Sequence, residues 1–276
     1  MATEAIFLFD KSPPAGNGVS AHAAESRRAR TAAKKTISDL RFQEAVLAVK
    51  ESANCQDLKE LQTRLIASFH QNSQETRLRY ARFVLHWFFP DGFDGVARRT
   101  WTAYQDDKIL TDVLRYLYLQ HEPVMGACVA ECLFPLEIGM RLPSTVFDRF
   151  LSGYFGGDPA KKTTQRLKSN LKFLGILERS RGAGDRLTSP GPSKTSLLIL
   201  THHIFAPTEP RTIELHNLLA NPFWKYLGFK SEDEVRRILR EADASGFVGK
   251  YVVADQLEQV TTCLTIEELL AKKARL

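Results

Sequence analysis

The sequence predicts a mainly α fold: an N-terminal helical bundle, then a helix-turn-helix followed by a β-hairpin, then a small α+β section at the C-terminal end. Three observations carry this. Apolar residues recur at helical spacing from residue 31 to 135, glycine-punctuated segments follow between 136 and 206, and two capping-box starts flank short β-rich runs after Pro207.

Residues 1–30 read as a flexible connector, because Lys11 to Ser26 hold Pro13, Pro14, Gly16 and Gly18 with almost nothing to bury. The short apolar patch Ile6-Phe7-Leu8-Phe9 is preceded by Glu4, not by a basic region, so it does not read as a secretory signal. A basic run, Arg27-Arg28-Ala29-Arg30 with Lys34-Lys35, closes the segment, either as a phosphate-gripping arm or as a solvated start of a helix.

Across 31–135 the groups Ile37, Leu40, Ala45, Leu47; Leu58, Leu61, Leu65, Ile66; Leu78, Ala81, Val84, Leu85, Phe88; Ile109, Leu110, Val113, Leu114, Leu117; and Val124, Cys128, Val129, Leu133 mark four or five amphipathic helices. Pro90-Asp-Gly-Phe-Asp-Gly95 interrupts them with turn residues, and Pro123 suits a first helical position. Trp87, Phe88, Phe89, Trp101, Tyr104, Tyr116 and Tyr118 supply aromatic area to this core.

Between 136 and 206 a helix from about Ser144 to Tyr154 stops at Gly156-Gly157. Asp158-Pro159 then pairs an N-cap with a proline at the first helical position, opening a helix that runs from Pro159 to Leu174 and closes at Gly175. Ile176 to Arg179 and Arg186 to Thr188 flank Gly182-Ala183-Gly184-Asp185 as a hairpin, while Leu197-Leu198-Ile199-Leu200 suits either a strand or a helix start. In the 207–276 section, Ser231-Glu-Asp-Glu234 and Thr265-Ile-Glu-Glu268 are helix starts of capping-box type, and Phe247 to Val253 and Gln259 to Cys263 are candidate strands.

Function is written most clearly in the helix after Asp158. Ala160, Thr164, Leu167, Leu171 and Leu174 form one apolar stripe, and Lys161, Lys162, Gln165, Arg166, Lys168, Ser169 and Lys172 occupy the remaining surface without a single acid. A solvated helix usually mixes Glu with Lys, because like charges at i,i+4 cost a few tenths of a kcal/mol per pair. Arg179, Arg181 and Arg186 continue the cationic surface into the hairpin, so eight Lys or Arg against three acids give 158–186 a charge of +5, nearly the whole +6 of the chain. Helix, turn, helix and basic hairpin in this order is the winged-helix arrangement, and it points to double-stranded DNA held through phosphates, with the second helix in a groove. The same fold also serves in protein contacts, so the order alone does not fix the partner.

Other chemistry finds little support. The totals, 38 Lys and Arg against 32 Asp and Glu with a pI near 9.1, favour polyanions only mildly. Cys55, Cys128, Cys132 and Cys263 include no CxxC pair and suit free thiols in a reducing cytoplasm. His202 and His203 are adjacent and diverge on any regular backbone, so they make a poor metal pair, and no metal or cofactor is expected. No Walker loop, GxSxG or HExxH is present, which argues against an enzyme. The apolar run from Phe83 to Phe89 ends at Pro90, far short of the roughly 20 residues that a membrane span needs.

Thr76-Arg-Leu-Arg-Tyr-Ala-Arg82, the segment Lys108 to Leu119 leading to Val129-Ala-Glu-Cys-Leu133, and Thr164 to Leu177 together resemble BrxA, the small accessory protein of bacteriophage exclusion (BREX) defence islands. The resemblance covers roughly residues 70 to 205 and lies in helical pattern more than in diagnostic motifs. It implies a non-enzymatic, mostly helical DNA-binding protein acting beside a methyltransferase and an ATPase; the stretch after Pro207 has no counterpart in it. Two other readings stay open: an adaptor holding a multi-protein complex, and a winged-helix transcription regulator.

Overall fold

The computed structural model describes residues 36–180, 184–254 and 257–276. The expected connector 1–30, the basic run ending at Lys35, and Arg181, Gly182 and Ala183 lie outside the described residues. Among those described, the chain is mainly helical, with thirteen α-helices and two small antiparallel sheets.

Six helices build the first part: α1 (Phe42–Ser52), α2 (Leu58–Ser68), α3 (Gln74–Phe88), α4 (Val96–Tyr104), α5 (Asp107–His121) and α6 (Pro123–Ala127), the last running into a π-helical turn at Cys128–Leu133. Local chemistry fixes their starts. Asp57, Ser73 and Asp106 each accept a hydrogen bond from a first-turn amide, and Pro123 takes the first helical position as its sequence context predicts. The π turn at Cys128–Leu133 leaves no trace in the apolar spacing that predicted a plain helix there. α5 is buried from Ile109 to Leu119 on nearly every side, and α1, α3 and α4 pack around it.

Next come β1 (Arg141–Leu142), α7 (Ser144–Phe155), α8 (Lys161–Phe173), β2 (Leu177–Arg179) and β3 (Asp185–Leu187). The strands pair antiparallel in the order β1-β3-β2, with Arg141 opposite Arg186, Leu142 opposite Asp185, and Glu178 opposite Arg186. Gly156 ends α7 in the left-handed region, as expected (φ 67°). α8 starts two residues later than the Asp158-Pro159 pair predicts. Ala160 is the N-cap, and its carbonyl accepts from Thr163 (2.7 Å) to close the first turn without a side-chain cap. At the other end Gly175 (φ 73°) sends its N–H to the Lys172 carbonyl and Ile176 sends its N–H to Leu171 (3.0 and 2.9 Å), a full Schellman closure.

The run Leu197 to Leu200 resolves as part of a helix, α9 (Lys194–Phe205), buried from Thr195 to His202. Neighbours surround it, which is why its apolar residues show no one-sided period. The C-terminal section holds β4 (Thr212–Glu214), α10 (Leu215–Ala220), α11 (Phe223–Leu227), α12 (Glu232–Ala244), β5 (Lys250–Ala254), β6 (Leu257–Thr261) and α13 (Ile266–Ala271), with the sheet ordered β4-β6-β5. The strands sit a few residues away from their expected positions, because Phe247 and Val248 are spent on closing α12 through the carbonyl of Ala242. Thr265 and Glu268 form the complete capping box. At Ser231 only half of one forms, since Glu234 accepts from Lys230.

One apolar cluster runs from Ile37 to Ala274, across the boundaries expected near 135 and 206. α5 lies at its centre and also meets α9 and α11. Among the described residues its one ion pair with both partners fully buried is Arg115 with Asp112, both at most 3 % exposed and 2.7 Å apart. Arg115 also donates to the carbonyls of Leu174 (2.9 Å) and Leu227 (3.4 Å), and Asp112 accepts from the Ser193 N–H (2.8 Å). Removing one member of such a pair strands the other charge out of water. Asp112→Ala is therefore expected to lower unfolding stability by about 3–5 kcal/mol in urea denaturation, and a loss below about 1 kcal/mol would show that the pair does not organise this core.

Candidate nucleic-acid interface

The helix expected to carry the function is present, and its leucine seam is buried: Leu167, Leu171 and Leu174 face the core with Thr163, Thr164 and Asn170. Thr164 ties the helix to α7 by donating to Asp148 (2.6 Å). On the opposite side Lys161, Lys162, Gln165 and Ser169 are exposed, whereas Arg166, Lys168 and Lys172 are half-buried.

Those three half-buried cations correct the expectation of an acid-free surface. Lys168 and Lys172 both reach Asp185 on β3, one to each carboxylate oxygen, at 2.9 and 2.8 Å. Lys168 also donates to the Ser144 hydroxyl at the start of α7 (2.9 Å). Arg166 pairs with Asp39 (2.9 Å) and donates to the Ile37 carbonyl (3.1 Å). The acids come from distant points in the chain, so i,i+4 spacing cannot show them. Burial pushes the Asp185 carboxyl up, but hydrogen bonds and charge from Lys172 and Lys168 outweigh it and hold the group below the usual carboxylate range.

Asn170, which the apolar stripe passes over, is fully used. It accepts from the Leu40 N–H (3.1 Å) and donates to the Ser38 carbonyl (2.8 Å) and the Tyr118 hydroxyl (2.7 Å). With Arg166 it straps residues 37–40 along α8. Glu122, at the α5–α6 junction, holds the same strap by accepting from the backbone of Ser38, and burial pushes its carboxyl up to about 7.

In the hairpin Arg179 is exposed, and Arg186 is exposed and paired with Glu178; Arg181 lies outside the described residues. Two residues of this surface escape a reading by periodicity. Arg141 sits on a strand of two residues, too short to announce itself, directly across from Arg186. Phe173 is 53 % exposed and shares a helix face with Lys162, Arg166 and Ser169. Its only signal in the sequence is an aromatic ring off the apolar stripe.

His202 is buried with Nδ1 against the Leu198 carbonyl (3.0 Å), and burial holds the imidazoles of both His202 and His203 below their ordinary range. Among the described residues no group of three or more His, Cys, Asp or Glu is placed to hold a metal ion, and no helix is long and apolar enough to cross a membrane. The cavity between Val129, Phe134, Ile176 and Phe229 encloses about 20 Å³, room for about one water. No protein-family model matches the chain, and no curated protein or solved structure does so either.

Two stability experiments follow from this geometry. Asp185→Asn removes the acid shared by Lys168 and Lys172 and is expected to cost about 1–3 kcal/mol at neutral pH. Because the folded carboxyl is depressed, the parent's advantage is present above the unfolded value near ~3.9 and vanishes as pH falls through the folded one. Equal urea midpoints for the two proteins at pH 7 would remove the clamp from the account. Glu122 has the opposite sign. Its folded pKa is raised, so its contribution is full below the unfolded value near ~4.3 and is lost as pH rises to about 7; Glu122→Gln should abolish that part of the pH dependence.

Proposed function

We propose that this chain is a non-enzymatic, cytoplasmic DNA-binding accessory protein, and that α7, the Gly156-Gly157 turn, α8 and the β1-β3-β2 sheet act as a winged helix with α8 as the reading helix. One observation carries the proposal. Lys161, Lys162, Gln165 and Ser169 line the exposed side of α8 together with Phe173, and among the described residues neither Lys161 nor Lys162 has an ion-pair partner. A major groove admits a helix with this face, lysines neutralise phosphates, and an amide such as Gln165 reaches base edges. An exposed aromatic ring beside cations adds a stacking or wedging element.

The ion pairs divide the cations by role. Asp39 is 48 % exposed, and a solvent-facing pair contributes about 0–1 kcal/mol, so Arg166 can exchange it for a phosphate at little cost. Lys168 and Lys172 answer a buried carboxylate and position the helix. The contact set on α8 is thus Lys161, Lys162, Gln165, Arg166 and Ser169. A place beside the methyltransferase and ATPase of a BREX system rests on the resemblance in residues 70–205. The adaptor reading draws on Val253 and Leu257, two exposed apolar residues at the paired ends of β5 and β6.

A salt series in fluorescence anisotropy with duplex DNA tests the proposal. Lys161→Ala/Lys162→Ala should weaken binding and reduce the slope of log K against log salt by about 2, with thermal melting unchanged. Parent-like affinity and slope in that variant would overturn the assignment.

A further inference from the structure

We propose that the outer face of the β1-β3-β2 sheet holds a separate oxyanion site for a phosphoryl group, built from the guanidinium groups of Arg141 and Arg186. A cleft of about 350 Å³ opens there, bounded among the described residues by these two arginines with Gly139, Glu178, Arg179 and Ser180.

Register gives the first argument. Arg141 on β1 and Arg186 on β3 are direct cross-strand partners, which places their Cβ atoms about 4.5–5.5 Å apart, and like charges so placed are destabilising. Glu178, the neighbour of Arg186 on the other side, pairs with Arg186, while among the described residues Arg141 has no acid. On this face two guanidinium groups stand against one carboxylate, a charge of +1, because Arg179 is paired in register with the inward Asp185. A bound anion between Arg141 and Arg186 would turn their repulsion into two attractive contacts, and the planar fork of arginine matches phosphate oxygens two at a time.

Lining and orientation give the second. The cleft has the volume of a nucleotide-sized ligand but, among the described residues, no aromatic or large apolar wall on which a base or an acyl chain could lie. It therefore selects the phosphoryl group and not what is attached to it. Along β3, Asp185 and Leu187 are buried while Arg186 is exposed, so Arg186 points away from the face that meets Lys168 and Lys172 of α8. The site is thus distinct from the exposed side of α8, and it stands whether or not α8 binds DNA.

Calorimetric titration of the full chain with inorganic pyrophosphate, a short DNA duplex and single-stranded oligo-dT tests the site. In the parent, pyrophosphate should bind. Arg141→Ala should weaken it about tenfold or more, Lys161→Ala/Lys162→Ala should leave it unchanged, and Glu178→Gln should tighten it by removing the competing carboxylate. If Arg141→Ala also weakens a nucleic acid, the phosphoryl source is a strand backbone; if only pyrophosphate suffers, it is a free phosphate ester. Absence of pyrophosphate binding in the parent, or parent-like binding in a folded Arg141→Ala with no gain in Glu178→Gln, overturns the proposal, whereas loss of duplex binding in the lysine variant alone bears on α8 only.

Discussion

Arg115 and Asp112 are both removed from water in the middle of α5, an arrangement whose desolvation penalty is several kcal/mol per ion before any contact is counted. What offsets it is the number of backbone groups that the pair satisfies. Leu174 is the C-cap of α8 and Leu227 is the last residue of α11, so their carbonyls are the orphans that a helix end leaves behind, and Arg115 donates to both. Asp112 spends its second oxygen on the amide of Ser193, the residue just ahead of α9. Three helix ends from different parts of the chain are thereby fixed on one turn of α5, and the continuity of the core follows from that shared anchor.

α8 shows how the same principle reaches the surface. Its buried side is a leucine seam interrupted by Asn170, whose three hydrogen bonds hold the 37–40 strap and Tyr118. Its flank is tied to the sheet by two lysines on one carboxylate. Only the remainder, from Lys161 to Phe173 along the outer side, is available to another molecule. Charge composition alone merges these roles; the position of the acids separates them.

Much of this fold was legible because it is local. The helical spacing of Leu110, Val113, Leu114 and Leu117, the stop at Gly156, the left-handed closure at Gly175 and the capping box at Thr265 all express rules that act within about one or two turns. What stayed hidden depends on contacts across the chain. β1 has two residues and β4 three, too few for alternation to register. α9 is buried from Thr195 to His202 and shows no one-sided apolar period, which left its type open between helix and strand. For the candidate site, the helix and its exposed residues were readable, but Asp185 and Asp39 could be matched to Lys168, Lys172 and Arg166 only once the chain had folded. Arg141 carried no signal, because its meaning comes from the residue opposite.

The two-lysine bridge to Asp185 has a consequence for how any partner would be met. Joined through one buried carboxylate, with the end of α8 held at Leu174 by Arg115, α8 and the hairpin strands form a ridge whose spacing is set before an encounter. Little freedom remains to be frozen in Lys168, Lys172 or the backbone they hold, where immobilising each flexible side chain typically costs about 0.5–1.5 kcal/mol. On the proposed reading such a ridge selects partners by shape, and a target whose curvature does not fit must itself bend.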